Sequence, residues 1–347
     1  MANKLLIDAT FGTGAGPSSS EIRRISASAE QAGYAALWSS ESKHDPFLPL
    51  LIASENTAQL HLGTSIAVAL ARSPMTLAYT AYDLQQLSEG RFILGLGSQV
   101  KAHIVRRFNM PWSNPAARMR EYIQALQAIW GAWQHDTQLK FVGDYYSHTL
   151  MTPFFAPDPH QWGAPQIYLA AVGEEMSKVA GEVADGVILH GFTTPAYIRE
   201  ISTPAVRLGE VDAGRAIGDC ALSLMGFVVS GDTDEQLATA AAAVKQQIGF
   251  YGSTPAYRKV LELHGWAALA DELADLARQG GAAWEKMGPQ IPDAVLEQFA
   301  VVAPRHELAA AIRARFEGVV DRFSFYVPYE VPVDFWDDVV SEIHQAN

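Results

Sequence analysis

Eight short apolar or β-branched runs, most of them separated by longer amphipathic segments, constrain the fold of this chain most strongly. Strands that alternate with helices pair in parallel, because a parallel pair needs a long crossover connection. Eight such units predict an α/β fold of the (β/α)8 TIM-barrel class. The predicted strands are Leu5–Thr10, Tyr34–Ser40, Leu62–Leu70, Phe92–Ser98, Gln166–Val172, Gly186–Gly191, Ala221–Ser230 and Arg322–Val327.

Two connections are too long for simple barrel loops. The first, at about 136–165, follows the helix after strand four and holds a predicted hairpin, Leu139–Tyr146. The second, at about 231–303, lies between strands seven and eight and contains extra helices. Long insertions commonly serve as lids or oligomer contacts. We therefore expect a single domain over 1–347 with two insertions. The rival, an open doubly wound sheet, is disfavoured because no Gly-x-Gly-x-x-Gly follows strand one at the required spacing.

The charge and composition of the chain limit the kinds of partner that it can bind. The formal net charge of −13 argues against nucleic-acid or anionic-membrane binding, which needs clustered Lys and Arg. Cys220 is the single cysteine, so an intrachain disulfide is impossible, and this fits a reducing compartment. The N-terminal residues do not resemble a signal peptide, and no apolar run reaches the ~18 residues of a membrane span. We expect a cytoplasmic protein with a small-molecule substrate.

Active sites of this architecture lie at the carboxyl ends of the strands. The segments that this rule selects are Asp8 and Thr10, Glu41 to His44, Ser65 to Arg72, Ser98 to His103, Ala171 to Glu174, His190 to Phe192, and Tyr326 to Tyr329.

Three of these segments allow a ligand or an ordinary structural role. Ala170–Met176 runs from a strand directly into a helix, whose free N–H groups suit a phosphate, although Glu174 and Glu175 also suit a plain helix start. Leu94–Ser98 has glycines that admit either a flat ligand or tight packing. The basic cluster of Lys101, His103, Arg106 and Arg107 fits an anionic cofactor or a solvated helix face.

The polar segment Glu41–Phe47 follows strand two. A Glu or His there could act as a general acid or base, and an ordinary polar loop is the alternative. The ten histidines show no close pair with metal-ligand spacing, so no metal is predicted. A Gly-x-Ser-x-Gly hydrolase elbow is also absent from the sequence.

Several motifs, spread over essentially the whole chain, resemble one family. The chain is similar to the luciferase-like monooxygenase superfamily, in the branch of coenzyme F420-dependent oxidoreductases. The motifs are Glu41-Ser-Lys-His-Asp-Pro-Phe-Leu-Pro-Leu, Leu62-Gly-Thr-Ser-Ile-Ala-Val-Ala, Gly90-Arg-Phe-Ile-Leu-Gly-Leu-Gly-Ser, Ala170-Ala-Val-Gly-Glu and Gly181-Glu-Val-Ala-Asp-Gly.

The resemblance implies a flavin-like ring across the strand ends and a non-proline cis peptide at Ser65–Ile66. It implies that Ser98, Gln99 and His103 contact the ring or its tail, and that a phosphate is held by two further segments. Asp8, at the end of strand one, is included among the cofactor contacts. The phosphate-holding residues implied are Ala171, Val172, Gly173, Glu174, His190 and Gly191.

The chain also departs from its relatives. Ser42 stands where many of them have a His, and His44 follows two residues later, so Glu41, Ser42 and His44 are the catalytic candidates, with solvent as an alternative base. Gln99 stands where many relatives have Gly. Val100 occupies a position that is acidic in some sugar-phosphate-oxidising relatives, so that substrate is not predicted.

The expected function is hydride transfer between C5 of F420 and a carbon of an organic substrate. The alternatives are an FMN-dependent monooxygenase that uses O2 and a separate flavin reductase, and a non-catalytic flavin or deazaflavin binder. Aromatic residues at strand ends and in the insertions suggest an apolar pocket. A homodimer is expected from the resemblance.

Overall fold

A computed structural model describes residues 4–11, 18–331 and 335–345, and it confirms the closed parallel barrel. Strands β1 to β8 begin and end within two residues of their predicted bounds, except β3, which ends six residues earlier than predicted. They are β1 Leu6–Thr10, β2 Ala36–Ser39, β3 His61–Thr64, β4 Phe92–Gly97, β5 Gln166–Ala171, β6 Gly186–Leu189, β7 Ala221–Val229 and β8 Arg322–Tyr326.

The barrel closes through β7, which pairs in parallel with both β6 and β8. β8 in turn pairs with β1, so that Asp8 lies opposite Ser324 on one side and Ala36 of β2 on the other. Closure aligns the carboxyl ends of all eight strands around one mouth, and this is where the candidate site lies.

The helices pack outside the barrel or in the second insertion. They are α1 Ser19–Gln31, α2 Phe47–Ser54, α3 Pro74–Leu87, α4 Lys101–Arg106, α5 Pro115–Gln134, α6 Glu174–Val183, α7 Thr203–Asp212, α8 Asp234–Gly252, α9 Arg258–Leu263, α10 Ala267–Gln279, α11 Asp293–Phe299, α12 Arg305–Phe316 and α13 Asp337–Gln345. Among the described residues, none of these helices has the length and apolar character that a membrane crossing would require.

The amphipathic segments of the sequence also predict helices at Leu48–Gln59 and near 195–208, and the structure differs from both predictions. The helix expected at Leu48–Gln59 ends at Ser54. The helix expected near 195–208 is a short turn, Pro195–Tyr197, a π-helical turn, Ile198–Ser202, and then α7. Pro204 explains this break, because proline has no N–H to donate to the preceding turn.

The predicted third strand, Leu62–Leu70, is interrupted. After β3 the Ser65–Ile66 peptide is cis, as the resemblance implied. Residues Ala67–Val68 then pair with Leu96 and Gly97 of β4 before a 3-10 turn. The interruption displaces the chain at the mouth, where Ser65 faces the barrel axis.

The first insertion contains a hairpin that lies slightly later than predicted, with strands Phe141–Val142 and Ser147–His148. The Glu121 carboxylate of α5 accepts hydrogen bonds from the N–H groups of Asp144, Tyr145 and Tyr146. Because the anchor is a residue more than twenty positions away, local turn signals did not fix the hairpin's register.

The second insertion forms its own hydrophobic cluster against the barrel. Helices α8 to α11 contribute residues such as Val260 and Phe299, and the barrel side contributes Phe192 and Phe227. A short strand, Ala300–Val302, pairs with the end of β7 and returns the chain to the barrel. The insertion is therefore packed beside the ends of β6 and β7.

The barrel interior is filled below the mouth. Trp38 and Tyr168 lie with ring centroids 5.9 Å apart, among Ile93 and Ile188. Gly63 provides the space for Trp38, because a Cβ there would lie 2.3 Å from the indole. These bulky side chains close the lower barrel and form the floor of the site.

Candidate active site

A pocket opens at the mouth, above Trp38. It contains about 480 Å³ of space not filled by protein atoms, including its opening to solvent. Its described lining consists of Thr10, Trp38, Ser40, Ser65, Ile188, Ser223, Met225 and Ser324.

Five of these eight side chains carry a hydroxyl group, and we call them the hydroxyl ring: Thr10, Ser40, Ser65, Ser223 and Ser324. None of the five hydroxyls makes a side-chain hydrogen bond to another part of the chain that the structure describes. Hydroxyl groups both donate and accept, and polar groups at a pocket wall without protein partners are available to a ligand. The hydroxyl ring therefore suits a ligand with several polar edge atoms.

Thr10 and Ser65 of this ring were among the strand-end candidates predicted from the sequence, whereas Ser40, Ser223 and Ser324 were not. The missed signal is the alternation along β7 and β8, where every second residue faces the barrel interior. Strand bounds alone do not show which of the two sets points inward, so the serines could not be separated from outward-facing neighbours.

The glycines of β4 are explained by packing. A Cβ on Gly95 would lie 1.7 Å from the carbonyl oxygen of Thr64, and one on Gly97 would lie 2.9 Å from the Ile66 side chain. Of the two explanations left open for Leu94–Ser98, the close approach of the broken third strand is the one observed.

Glu41 supports the mouth from behind. Its buried carboxylate accepts hydrogen bonds from Val68 N at 2.7 Å and from the Arg72 guanidinium at 2.6 Å. Its N–H donates to the carbonyl of Ile66 at 3.2 Å. Glu41 is therefore placed to fix the Ser65–Ile66 segment, and its charge is already neutralised by Arg72.

Ser42 and His44, the other catalytic candidates, lie exposed on the loop before α2 and do not line the pocket. The Ser42 carbonyl accepts a hydrogen bond from Arg107 at 2.8 Å. His103 is exposed on α4. The basic cluster thus borders the rim of the mouth, with Arg107 tying α4 to the loop after β2.

Ser98 and Gln99 lie directly after β4. Gln99 has φ of 59°, the left-handed region that favours glycine, and its Oε1 accepts a hydrogen bond from Val100 N at 2.9 Å. The Ser98 hydroxyl donates to the Gln99 carbonyl. The side chain of Gln99 is therefore held against its own backbone.

The start of α6 remains open for an anion. Gly173 is its N-cap and has no side-chain cap, and a Cβ added there would meet nothing within 4 Å. Ala171 ends β5 and Val172 is half-buried, whereas Glu174 is exposed. The first N–H groups of this ten-residue helix, at the positive end of its dipole, suit a phosphate.

His190 and Gly191 follow β6. Nδ1 of His190 accepts a hydrogen bond from Phe192 N at 3.0 Å, which assigns the ring proton to Nε2. Burial lowers the pKa of His190 to about 4, so the ring is neutral at pH 7. Gly191 lies against the Tyr326 ring, where a Cβ would approach it to 2.8 Å.

Asp8 faces the barrel interior below the mouth rather than the pocket. Its carboxylate accepts two hydrogen bonds from Arg322 at 2.8 Å and one from Trp38 Nε1 at 2.9 Å. Burial raises the pKa of Asp8, whereas Arg322 and Trp38 oppose that change. Both oxygens of this carboxylate therefore accept hydrogen bonds from protein side chains.

Within residues 4–11, 18–331 and 335–345, no cluster of three or more His, Cys, Asp or Glu side chains could hold a metal ion. Cys220 is buried.

The chain is similar to several known proteins. The sequence profile of the family described as luciferase-like monooxygenase matches residues 4–322. The uncharacterized protein Rv1360 of Mycobacterium tuberculosis is 50% identical over 293 residues, which cover 84% of this chain and 86% of that protein. The 5,10-methylenetetrahydromethanopterin reductase of Methanolobus tindarius is 26% identical over 312 residues, covering 87% and 89% of the two chains.

A solved structure, the coenzyme F420-dependent tetrahydromethanopterin reductase from Methanopyrus kandleri, superimposes with a TM-score of 0.79. The superposition covers 100% of this chain and 99% of that one at 18% identity, so it establishes a shared fold. Because the family profile matches most of the sequence, the chain belongs to the luciferase-like monooxygenase family.

Proposed function

We propose that this protein is an oxidoreductase that binds coenzyme F420 across the barrel mouth and exchanges a hydride with an organic substrate. The hydroxyl ring carries the proposal, because its unpartnered groups surround a pocket at the place where this fold positions its ligands. The names of two similar proteins, a putative coenzyme F420-dependent oxidoreductase of Mycobacterium tuberculosis and the F420-dependent reductase of Methanopyrus kandleri, support the cofactor.

The residues fit such a cofactor at two places. The hydroxyl ring offers hydrogen bonds to the polar edge of a flat ring system, and the uncapped start of α6 offers N–H groups to a phosphate. Arg107, at the rim beside Ser42, adds a positive charge within an acidic protein.

F420, when bound, supplies two-electron hydride chemistry. The chain itself would orient the ring on the Trp38 floor, hold the third-strand end in place through Glu41 and Arg72, and exclude water from the reacting atoms. Because Glu41 is paired with Arg72, we assign it a positioning role.

Fluorescence titration of the purified protein with oxidised F420 and with FMN tests the cofactor. We expect tighter binding of F420. A preference for FMN would instead indicate a monooxygenase that uses O2 and a flavin reductase, and F420 binding without turnover of any substrate would indicate a binder. Binding of neither would refute the proposal.

The site itself is tested by Ser40→Leu, which fills the mouth from its half-buried rim. We expect F420 affinity to fall at least about ten-fold, equivalent to about 1.4 kcal/mol. The matched control is Ser19→Leu on the exposed face of α1, which should leave the affinity unchanged. Equal affinities for the two variants would place the cofactor elsewhere.

A further inference from the structure

One side of the mouth is aromatic immediately above the pocket. His190, Phe227 and Tyr326 each lie two residues after a side chain that lines the pocket, namely Ile188, Met225 and Ser324. Residues two apart in a strand point to the same face, so Phe227 and Tyr326 continue the inward row toward the mouth. His190 directly follows the end of β6. We call His190, Phe227, Tyr251, Tyr257 and Tyr326 the aromatic wall. Phe227 is fully buried, and the other four side chains are partly exposed.

The wall is held together by ring contacts. His190 stacks on Tyr257 with centroids 4.6 Å apart and meets the edge of Tyr251 at the same distance. Tyr326 stacks on Phe227 at 4.6 Å, and its hydroxyl lies 2.7 Å from that of Tyr251. Tyr251 and Tyr257 come from the second insertion, so this insertion completes the site.

His190 presents one hydrogen-bond donor from this wall. Its Nδ1 is occupied by Phe192 N, and its Nε2 has no hydrogen-bond partner among the described residues. The ring is half-buried, and burial keeps it neutral, since its pKa falls to about 4. A neutral imidazole donates a hydrogen bond without adding positive charge.

The wall contains no charged side chain. Burial raises the pKa of Tyr251, Tyr257 and Tyr326, and the further influences on these three pKa values come from one another and from Gln247. A carboxylate or phosphate placed here would lose hydration and gain no ion pair. Such a surface therefore selects against charged ligands.

We propose that the aromatic wall is the substrate side of the mouth, that it takes a flat, uncharged compound with a conjugated carbonyl, and that Nε2 of His190 donates a hydrogen bond to the carbonyl oxygen. This inference rests on the proposed function and assigns its substrate class. It also transfers His190 from the phosphate of the cofactor, where the family resemblance placed it, to the substrate.

The test uses the F420-loaded protein and two probes of the same shape, 2-acetylnaphthalene and 2-naphthoate. Equilibrium dialysis should show the ketone binding at least about ten-fold more tightly than the carboxylate. Equal or tighter binding of the carboxylate, or failure to bind the ketone, would overturn the substrate class.

Two variants test the role of His190. His190→Phe keeps the stacking ring but loses the donor, and it should weaken ketone binding about three- to ten-fold, the value of one net hydrogen bond. His190→Gln places an amide N–H at a similar reach and should retain most of the affinity. Equal ketone affinity for the Phe variant and the native protein would overturn the assignment of the donor.

The affinity for F420 separates this inference from the proposed function. Both His190 variants should bind F420 as the native protein does, because the wall faces the substrate. Loss of F420 binding in both variants, with native F420 binding intact, would return His190 to the cofactor. Failure of the native protein to bind F420 would instead refute the proposed function.

Nuclear magnetic resonance of the ¹⁵N-labelled histidines gives an independent measurement. The ring of His190, identified by the loss of its signal in His190→Phe, should carry its proton on Nε2 and should not titrate between pH 5 and 8. A midpoint near 6.5, the ordinary value for histidine, would show a ring that burial does not keep neutral, and it would contradict the permanently neutral donor.

Discussion

At the scale of single residues, the buried carboxylates of Asp8 and Glu41 are chemically similar but have different roles, because they lie in different places. Both accept hydrogen bonds from an arginine, Arg322 and Arg72 respectively. Asp8 does so inside the barrel, 314 residues away from its partner in sequence. Its place at the end of β1 suggested a ligand contact, and a pairing over such a distance could not be recognised from local sequence.

The Asp8–Arg322 pair predicts a stability effect rather than a binding effect. Arg322→Met leaves Asp8 buried without a cation and should lower the free energy of unfolding by about 3–5 kcal/mol, whereas Asp8→Leu/Arg322→Met should recover part of it. Urea unfolding measures both. A double variant less stable than the single one would contradict this account.

The same variant should respond to pH. Without Arg322, whose charge opposes the effect of burial, the pKa of Asp8 in the folded state lies further above its unfolded value. The folded state then binds the proton more tightly, so the stability of Arg322→Met should fall as pH rises from 5 to 8. A flat difference from the native protein over this range would show that Asp8 is not desolvated.

At the scale of elements, α6 is held in place by a close approach to α7. A Cβ on Gly181 of α6 would lie 2.0 Å from the Val206 carbonyl oxygen, and one on Gly209 of α7 would lie 2.0 Å from that of Lys178. The two helices therefore touch through backbone. Since the start of α6 faces the mouth, this contact also sets where the proposed phosphate would lie.

Substitution by alanine should consequently change the stability of the protein in opposite directions at two helical glycines. Gly209→Ala must separate α6 from α7 and should lower the free energy of unfolding by about 1–3 kcal/mol. Gly131→Ala in α5, where a Cβ meets nothing within 4 Å, should stabilise by up to about 1 kcal/mol through helix propensity. Thermal unfolding compares them, and destabilisation of both variants by the same amount would contradict the close approach.

The sequence predicted elements better than the site. Strand positions followed from the apolar runs, and the cis peptide at Ser65–Ile66 came from the family resemblance. The inward serines Ser223 and Ser324 and the pairing of Glu41 with Arg72 needed barrel register and long-range contacts, which one sequence does not contain. For the same reason, the sequence suggested that aromatic residues of the insertions line a pocket but did not show which of them reach it.

At the scale of the whole molecule, the barrel and the second insertion both contribute side chains to one hydrophobic cluster. Phe192 and Phe227 belong to the same buried cluster as Val260 and Phe299 of the insertion. Because the core of the insertion includes barrel residues, we expect the insertion and the barrel to unfold together. The homodimer suggested by resemblance stays a prediction.

Unfolding should therefore be a single transition across both parts. Hydrogen exchange followed by mass spectrometry at rising urea should give the same midpoint for peptides from α8 to α11 and for peptides from β7 and β8. Phe299→Ala should lower both midpoints together. Earlier loss of protection in the insertion would instead define a second folding unit.

The aromatic wall follows β6 to β8, whereas β3, which lies across the barrel from β7, is followed at the mouth by the small side chain of Ser65. In stereochemical terms, such a mouth is chiral. A flat cofactor lying across it would show one face to the wall, and a carbonyl held by His190 would turn one prochiral face toward that cofactor. Reduction of an unsymmetrical ketone in this site should consequently yield a single enantiomer of the alcohol.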